Sequence, residues 1–253
     1  MDKLFGLIGF PLSHSWSASY FTDKFRTENI KGFQYMLFPL KDIAEFEKLI
    51  ASEPDLMGLN VTIPYKEQVI PYLDQLDESA KEIGAVNTIK FIRTEDKIFS
   101  KGFNTDVTGF EKSLDYYKVE VPEKALILGT GGASKSVDQV LRKLGCKTTF
   151  VTRKRKSDNQ ITYEELNKID IRHFELVVNT TPLGMYPKIE EFPEFPYYSL
   201  TKSHTLYDLV YNPTETMFLK KGKAKGCKIV GGLYMLQQQA EAAWKIWTTE
   251  SIY

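Results

Sequence analysis

Residues 125–134 read Ala-Leu-Ile-Leu-Gly-Thr-Gly-Gly-Ala-Ser, so that a short apolar run leads directly into a cluster of glycines. The apolar run predicts a buried strand, and a helical pattern begins at about residue 133. Glycines at such a junction permit a tight turn and let backbone N–H groups approach a phosphate at the start of the helix. The stretch therefore predicts the phosphate-binding turn of a Rossmann domain, although Ser134 replaces the third glycine of the fingerprint and a plain glycine-rich turn is the alternative.

A run of four basic residues, Arg-Lys-Arg-Lys at 153–156, follows the next predicted strand at 147–151. In a dinucleotide-binding fold, the end of the second strand faces the adenosine ribose. An acidic residue there binds the 2′-hydroxyl, whereas a basic residue accommodates a 2′-phosphate. A basic run is more often a solvated loop. Because of its position in the predicted fold, however, this run favours NADP over NAD as the cofactor.

Short β-type runs alternate with helical stretches along the chain, which predicts parallel sheets covered by helices. The predicted strands are 4–8, 33–38, 56–63, 125–128, 147–151, 174–178, 206–210 and 228–230, and the predicted helices are 17–28, 43–50, 106–117 and 133–144. Residues 86–103 predict a hairpin, and 183–199 shows no clear period. The fold class is therefore α/β with two domains, residues 1–104 and 105–233, and a final helix at 234–253 that packs back on the first domain.

The composition excludes several classes of protein. The 253 residues contain 33 Lys+Arg and 33 Asp+Glu, so there is no net charge to attract nucleic acid. Two cysteines and three scattered histidines form neither a disulfide framework nor a metal site, which indicates a reducing compartment and no metal. No signal peptide or membrane-spanning run is apparent. We therefore expect a cytoplasmic protein with no nucleic-acid or membrane partner.

Two serines follow the first predicted strand in the segment Gly-Phe-Pro-Leu-Ser-His-Ser-Trp-Ser at 9–17. Ser15 and Ser17 stand near the start of a predicted helix. Hydroxyls at such positions most often cap the helix. The same hydroxyls and the exposed N–H groups beside them also suit a carboxylate ligand.

A second polar group follows the predicted strand at 56–63. Alternation puts Asn60 and Thr62 on one face, and Pro64 breaks the sheet so that Lys66 emerges at its carboxyl edge. Open α/β sheets bind ligands at that edge. A single lysine is usually a surface charge. Lys66 becomes a candidate site residue only if other polar groups converge on it. Asn87 and Asp106 are the candidates for such groups.

The sequence as a whole resembles the shikimate dehydrogenase family, through eight motifs in order. They are GFPLSHSWS at 9–17, NVTIPYK at 60–66, GAVNT at 84–88, GFNTD at 102–106, GTGGAS at 129–134, NTTPLGM at 179–185, DLVYNPTET at 208–216 and GGLYMLQQQA at 231–240. The resemblance implies a substrate domain with a mainly parallel sheet, a Rossmann NADP-binding domain and a cleft between them. It also implies the reversible, NADP-dependent reduction of 3-dehydroshikimate to shikimate in aromatic amino-acid biosynthesis.

The resemblance also implies roles for individual residues. Lys66 is the expected acid/base, paired with Asp106. The expected substrate contacts are Ser15 and Ser17 for the carboxylate, with Thr62, Asn87, Asp106, Tyr211 and Gln239 around the ring. The expected cofactor contacts are Gly129, Thr130, Gly131, Gly132 and Ala133 for the pyrophosphate, Thr152, Arg153 and Lys154 for the adenosine phosphate, and Leu209, Gly232 and Met235 near the nicotinamide. Thr152-Arg153-Lys154 departs from the family's usual Asn-Arg-Thr, and Lys135 stands where arginine is common.

Two alternatives remain open on the sequence. A quinate/shikimate dehydrogenase of broader specificity would oxidise quinate and use NAD. A catalytically silent homologue that senses the metabolite would be expected to lose Lys66 or Asp106, and both are present. The protein is expected to be a monomer or a homodimer.

Overall fold

The computed structural model describes residues 3–12, 15–95 and 97–249. The chain divides into two compact units. Unit 1 comprises Met1–Thr105 together with Ala240–Tyr253, and unit 2 comprises Asp106–Gln239. Within the described ranges, no helix is long and apolar enough to cross a membrane.

Twelve strands, eight α-helices and four short 3₁₀ helices make up the described elements. The strands are β1 (Lys3–Gly9), β2 (Phe33–Pro39), β3 (Leu56–Val61), β4 (Gln75–Leu76), β5 (Thr88–Arg93), β6 (Ile98–Phe103), β7 (Lys124–Leu128), β8 (Lys147–Thr152), β9 (Gln160–Thr162), β10 (Leu176–Asn179), β11 (Thr205–Asp208) and β12 (Lys228–Gly231). The helices are α1 (Trp16–Thr27), α2 (Phe46–Ser52), α3 (Glu78–Ile83), α4 (Asp106–Tyr116), α5 (Gly132–Lys143), α6 (Tyr163–Leu166), α7 (Met217–Lys223) and α8 (Leu233–Thr248).

Unit 1 is built on a six-stranded sheet in the order β2-β1-β3-β5-β6-β4. Strands β2, β1 and β3 pair in parallel, and β5 runs antiparallel to both β3 and β6, which confirms the predicted hairpin. Alternate residues of β1 enter different clusters, Leu4 and Ile8 on one face and Phe5 and Leu7 on the other. The sheet is therefore covered on both sides, as an α/β fold requires.

The C-terminal part of α8 packs on the sheet of unit 1. Trp247 donates its indole N–H to the carbonyl of Ile89 at 2.9 Å and lies over Gly58, where any side chain would collide with the ring. Ala240 and Ala243 complete the same buried cluster. The small residues of β3 and α8 thus allow the helix to pack closely on the sheet.

Unit 2 is an all-parallel six-stranded sheet in the order β12-β11-β10-β7-β8-β9. Alternate residues of β7 are buried in the two clusters on either side, Ala125 and Ile127 in one and Leu126 and Leu128 in the other. Burial on both faces explains the continuous apolar run of the sequence. The strand order reverses between the neighbouring strands β7 and β10, the point at which such sheets bind ligands.

Several short elements were not predicted, namely β4, α3, β9, α6 and α7. The three helices have recognisable caps in the sequence: Asp77 accepts from Ala80 N, Thr162 forms a capping box with Glu165, and Thr216 caps α7. Some predicted boundaries were also wrong. Strand β3 ends at Val61 and α8 at Thr248, while residues 250–253 of the predicted final helix lie outside the described ranges.

Candidate active site

The carboxyl ends of β1 and β3 lie side by side in unit 1. Thr62 N donates to the carbonyl of Ile8 at 2.9 Å, and Phe10 N donates to the carbonyl of Ile63 at 3.0 Å. The chain then turns, and the carbonyl of Lys66 accepts from Val86 N at 2.7 Å. Lys66, which is half-buried, is therefore held beside the segment that carries Asn87.

Asn87 is buried with its amide orientation fixed. Its Oδ1 atom accepts from Thr105 N at 2.7 Å, from Thr105 Oγ1 at 3.1 Å and from Thr88 Oγ1 at 3.2 Å. Because three donors converge on the oxygen, the amide nitrogen is the atom through which Asn87 can donate to a ligand. This suits an acceptor such as a hydroxyl oxygen.

A chain of neutral polar groups connects Ser17 to Asn87. Tyr35, which is hydrogen-bonded to Ser17, donates its hydroxyl to Asn60 Oδ1 at 2.8 Å. Asn60 Nδ2 in turn lies 3.3 Å from Thr88 Oγ1 and 3.4 Å from the carbonyl of Asn87. Burial raises the pKa of Tyr35, so its hydroxyl stays neutral and can donate. The predicted sites Ser17 and Asn87 thus share one buried network in unit 1.

Ser15 occupies the N-cap position of α1, but its side chain does not cap the helix. The backbone angles are φ −81° and ψ 117°, and no N–H of the first turn donates to Ser15 Oγ. That oxygen is buried and has no hydrogen-bond partner among the described residues. Since the capping interpretation requires an N–H donor to Oγ, the structure disfavours it for Ser15, and the carboxylate contact stays a prediction.

In unit 2, the glycine turn lies at the end of β7, next to the start of the loop after β10. Gly129 has φ +110°, a left-handed conformation that favours glycine, and a Cβ there would lie 2.7 Å from Thr180 Oγ1. Thr180 donates to the carbonyl of Leu128 from its N (3.0 Å) and from its Oγ1 (2.7 Å). Gly131 begins α5 as its N-cap, and a Cβ there would meet nothing within 4 Å. This open helix N-terminus is suited to a phosphate.

The four basic residues after β8 are not equivalent. Arg155 is engaged within its own loop, 3.5 Å from Asp158 and 3.9 Å from Glu165. Arg153 and Lys154 are exposed, and neither forms an ion pair with a carboxylate of any described residue. Thr152 Oγ1 lies 3.4 Å from Lys154 N. Lys156 is also exposed without an ion pair among the described residues, but Arg153 and Lys154 lie closer to the end of β8.

Three further predicted cofactor residues lie together in unit 2. Any side chain at Gly232 would overlap the backbone of Leu209, and Leu209 packs against the cluster that contains the buried Met235. The predicted substrate residues of this unit are Asp106, the buried first residue of α4, half-buried Tyr211 and buried Gln239. The pairing of Lys66 with Asp106 stays a prediction.

Comparison with known proteins identifies the family. Residues 7–89 match the family model described as the shikimate dehydrogenase substrate binding domain. A shikimate dehydrogenase (NADP(+)) of Clostridium beijerinckii is 40% identical over 257 residues, covering 97% of this chain and 92% of the relative. This chain belongs to the shikimate dehydrogenase family.

Solved structures of family members support the same assignment. A chorismate mutase/shikimate 5-dehydrogenase fusion protein from Clostridium acetobutylicum matches with a TM-score of 0.87 and 37% identity, covering 100% of this chain and 93% of that chain. The shikimate 5-dehydrogenase of Thermus thermophilus in complex with NADP(H) and shikimate matches with a TM-score of 0.83 and 29% identity, covering 98% of this chain and 94% of that chain. The predicted two-domain α/β fold of the family is confirmed.

A buried polar cluster at the carboxyl ends of β10 and β11 was not predicted from the sequence. Asn179, Asp208 and Thr216 are each at most 1% exposed, and Asp208 accepts a hydrogen bond from each of the other two. They belong to the motifs at 179–185 and 208–216. Both motifs contributed to the resemblance to the family, but no role was predicted for these three residues. A polar residue at the end of an otherwise apolar strand was the available signal.

Proposed function

We propose that this protein is an NADP-dependent shikimate dehydrogenase that reversibly reduces 3-dehydroshikimate to shikimate in the pathway to aromatic amino acids. The proposal rests on two features that occur together in one chain of this family. One is a glycine turn that is open to a phosphate, and the other is an oriented polar network around Asn87. The cytoplasm is the proposed location, in keeping with two free cysteines, and the proposed assembly is a monomer or a homodimer.

The residues of unit 2 fit NADP. Gly129–Ala133 would hold the pyrophosphate through backbone N–H groups at the start of α5, and Thr152, Arg153 and Lys154 would bind the adenosine 2′-phosphate. Leu209, Gly232 and Met235 would lie near the nicotinamide. When bound, the reduced cofactor supplies the hydride.

The polar edge of unit 1 fits a small hydroxylated carboxylate. Ser15 and Ser17 would donate to the carboxylate, because both hydroxyls lie at the start of α1 with its exposed N–H groups. The remaining proposed contacts are Thr62, Asn87, Asp106, Tyr211 and Gln239. Apart from Asp106 these are neutral groups that both donate and accept, as the hydroxyls of a polyol require.

Lys66 is the proposed acid/base. As a hydride reaches the carbonyl carbon of 3-dehydroshikimate, negative charge develops on the oxygen, and the ammonium of Lys66 donates a proton to it. In the reverse direction the neutral amine accepts the hydroxyl proton. Asp106 is proposed to position Lys66 and to bind a substrate hydroxyl, so that its contribution is geometric.

The test is a four-way assay of the purified protein, with shikimate or quinate and with NADP or NAD. We expect NADPH oxidation with 3-dehydroshikimate, and oxidation of shikimate with NADP but little with quinate or NAD. Comparable rates with quinate and NAD would instead indicate the broader quinate/shikimate dehydrogenase. Shikimate binding without any turnover would indicate the silent metabolite-binding homologue.

A further inference from the structure

A buried carboxylate lies at the end of β11, outside the residues that the proposed reaction uses. Asp208 is fully buried. Its Oδ1 atom accepts from Asn179 Nδ2 at 2.9 Å and from Val210 N at 3.0 Å, and its Oδ2 atom accepts from Thr216 Oγ1 at 2.5 Å. All three partners are donors, so the site is built for an acceptor at both oxygens.

The donors around Asp208 suit its ionised form, whereas burial favours its protonated form. Thr216 caps α7, and its Oγ1 accepts from Leu219 N at 3.4 Å. Its single proton is therefore directed at Asp208. Burial raises the pKa of Asp208 to about 6, while the hydrogen bonds from Thr216, Val210 and Asn179 lower it, so the group is a carboxylate at neutral pH. Tyr197, which faces this charge, has a raised pKa and stays neutral.

The network extends from Asp208 to the glycine turn. Asn179 Oδ1 accepts from Thr181 N at 3.1 Å and from Thr181 Oγ1 at 2.7 Å, which fixes the turn after β10. The residue between them, Thr180, is hydrogen-bonded to the carbonyl of Leu128 and lies against Gly129. Two sets of hydrogen bonds, joined through the backbone of residues 179–181, thus connect α7 to the end of β7.

We propose that Asp208 is a positioning residue that fixes the spacing between the glycine turn, Gly129–Ala133, and the segment Leu209–Tyr211. The proposal rests on the proposed function, in which the first segment holds the pyrophosphate and the second lies near the nicotinamide. Asp208 is fully buried and is not proposed to contact either ligand. If it sets this spacing, its loss weakens binding of the intact cofactor more than binding of a fragment that lacks the nicotinamide.

The experiment uses Asp208→Asn, which keeps the volume but places an NH2 group opposite Thr216. We expect the dissociation constant of NADPH to rise at least about tenfold, because a hydrogen bond to a charged group is lost. That of 2′-phospho-ADP-ribose should change less than about twofold, because this fragment lacks the nicotinamide that is proposed to lie near Leu209. Tyr207→Phe is the matched control. It removes the buried Tyr207–Ser113 hydrogen bond from the preceding residue of the same strand, and should lower stability without selective loss of NADPH.

Other outcomes overturn the proposal. Equal weakening of NADPH and the fragment, or an unchanged NADPH affinity, would show that Asp208 only stabilises the fold. If Asp208→Asn does not fold, Thr216→Val removes the same hydrogen bond, and Thr216→Ser should restore the preference for intact NADPH. Failure of Thr216→Ser to restore it also overturns the proposal. An unmutated protein that binds no NADPH refutes the proposed function instead, before any variant is compared.

Discussion

The carboxyl edges of the two sheets both carry buried polar networks, but the networks are built from different groups. In unit 1, Tyr35, Asn60, Asn87 and Thr105 are neutral, and most of them both donate and accept. In unit 2, the network centres on Asp208, which only accepts. A neutral network can offer donors to a ligand at a modest desolvation cost. A buried carboxylate must be fully paired and dictates the direction of every bond around it.

The two edges also differ in which atoms are available for a ligand. In unit 1 they belong to side chains, such as Ser15 Oγ, which is buried and has no partner within the described ranges. In unit 2 they belong to the backbone at the start of α5, where Gly131 leaves open space. We therefore expect substitutions in the polar network of unit 1 to act mainly on the substrate, and substitutions around Asp208 in unit 2 to act mainly on cofactor geometry.

The largest expected effect comes from Lys66→Ala. Turnover should fall by about 10²–10⁴, the usual contribution of a positioned acid/base, while the dissociation constant of NADPH stays nearly unchanged. Steady-state kinetics and direct NADPH titration measure the two quantities. Lys81→Ala, which removes an exposed lysine of the same unit, is the control and should keep full turnover. A Lys66→Ala protein that retains most of its turnover would remove Lys66 from the acid/base role.

The contrast between charged and neutral networks predicts a difference in the pH dependence of stability. The pKa of Asp208 is raised to about 6 in the folded protein, above the unfolded value of about 3.9. The stability that this group contributes is thus fully present below about pH 4 and is lost as pH rises through about 6. We therefore compare the free energy of unfolding of the unmutated protein with that of Asp208→Asn. The first minus the second should fall by about 3 kcal/mol between about pH 4 and about pH 6.

Denaturant unfolding at several pH values measures that difference, and Tyr35→Phe provides the comparison from unit 1. The Tyr35 hydroxyl is neutral throughout this range because burial raises its pKa, so its substitution should cost the same at every pH. If the Asp208→Asn difference were also independent of pH, the two networks would not differ in charge as we infer.

Arg153→Ala should weaken the binding of NADPH much more than the binding of NADH. Loss of a charge-assisted contact to the 2′-phosphate should weaken NADPH by roughly 1.5–3 kcal/mol and leave NADH nearly unaffected. Arg155→Ala is the matched control, because Arg155 contacts Asp158 and Glu165 of its own loop and should not discriminate between the cofactors. Equal weakening of NADPH and NADH by Arg153→Ala would assign the residue to folding or to the pyrophosphate.

Much of the fold could be predicted because its signals are local. The apolar run before Gly129, the hairpin at 86–103 and each long helix are specified by residues that are close together in the sequence. The cluster of Asn179, Asp208 and Thr216 could not be predicted in this way. Asn179 and Asp208 are 29 residues apart in sequence and meet only because β10 and β11 pair in the register that sets them opposite each other. The distinction between Arg153 and Arg155 likewise depends on side-chain partners that a run of like charges does not reveal.

The smallest expected effects concern Ser15 and Ser17, and here the structure separates two residues that the sequence treated as a pair. Ser15 Oγ makes no capping bond, so Ser15→Ala should leave the melting temperature nearly unchanged while it raises the KM for shikimate about fivefold, the equivalent of about 1 kcal/mol. Ser17 is hydrogen-bonded to Tyr35, so Ser17→Ala should raise KM and also lower stability by about 1 kcal/mol. Contacts to a carboxylate remote from the reacting carbon are similar in the ground and transition states, and kcat should therefore change less than KM.

Ser19→Ala, at an exposed serine of the same helix, is the control and should alter neither the KM for shikimate nor the stability. If Ser15→Ala lowered the melting temperature and left KM unchanged, the hydroxyl would be a helix cap and the proposed orientation of the substrate would be wrong.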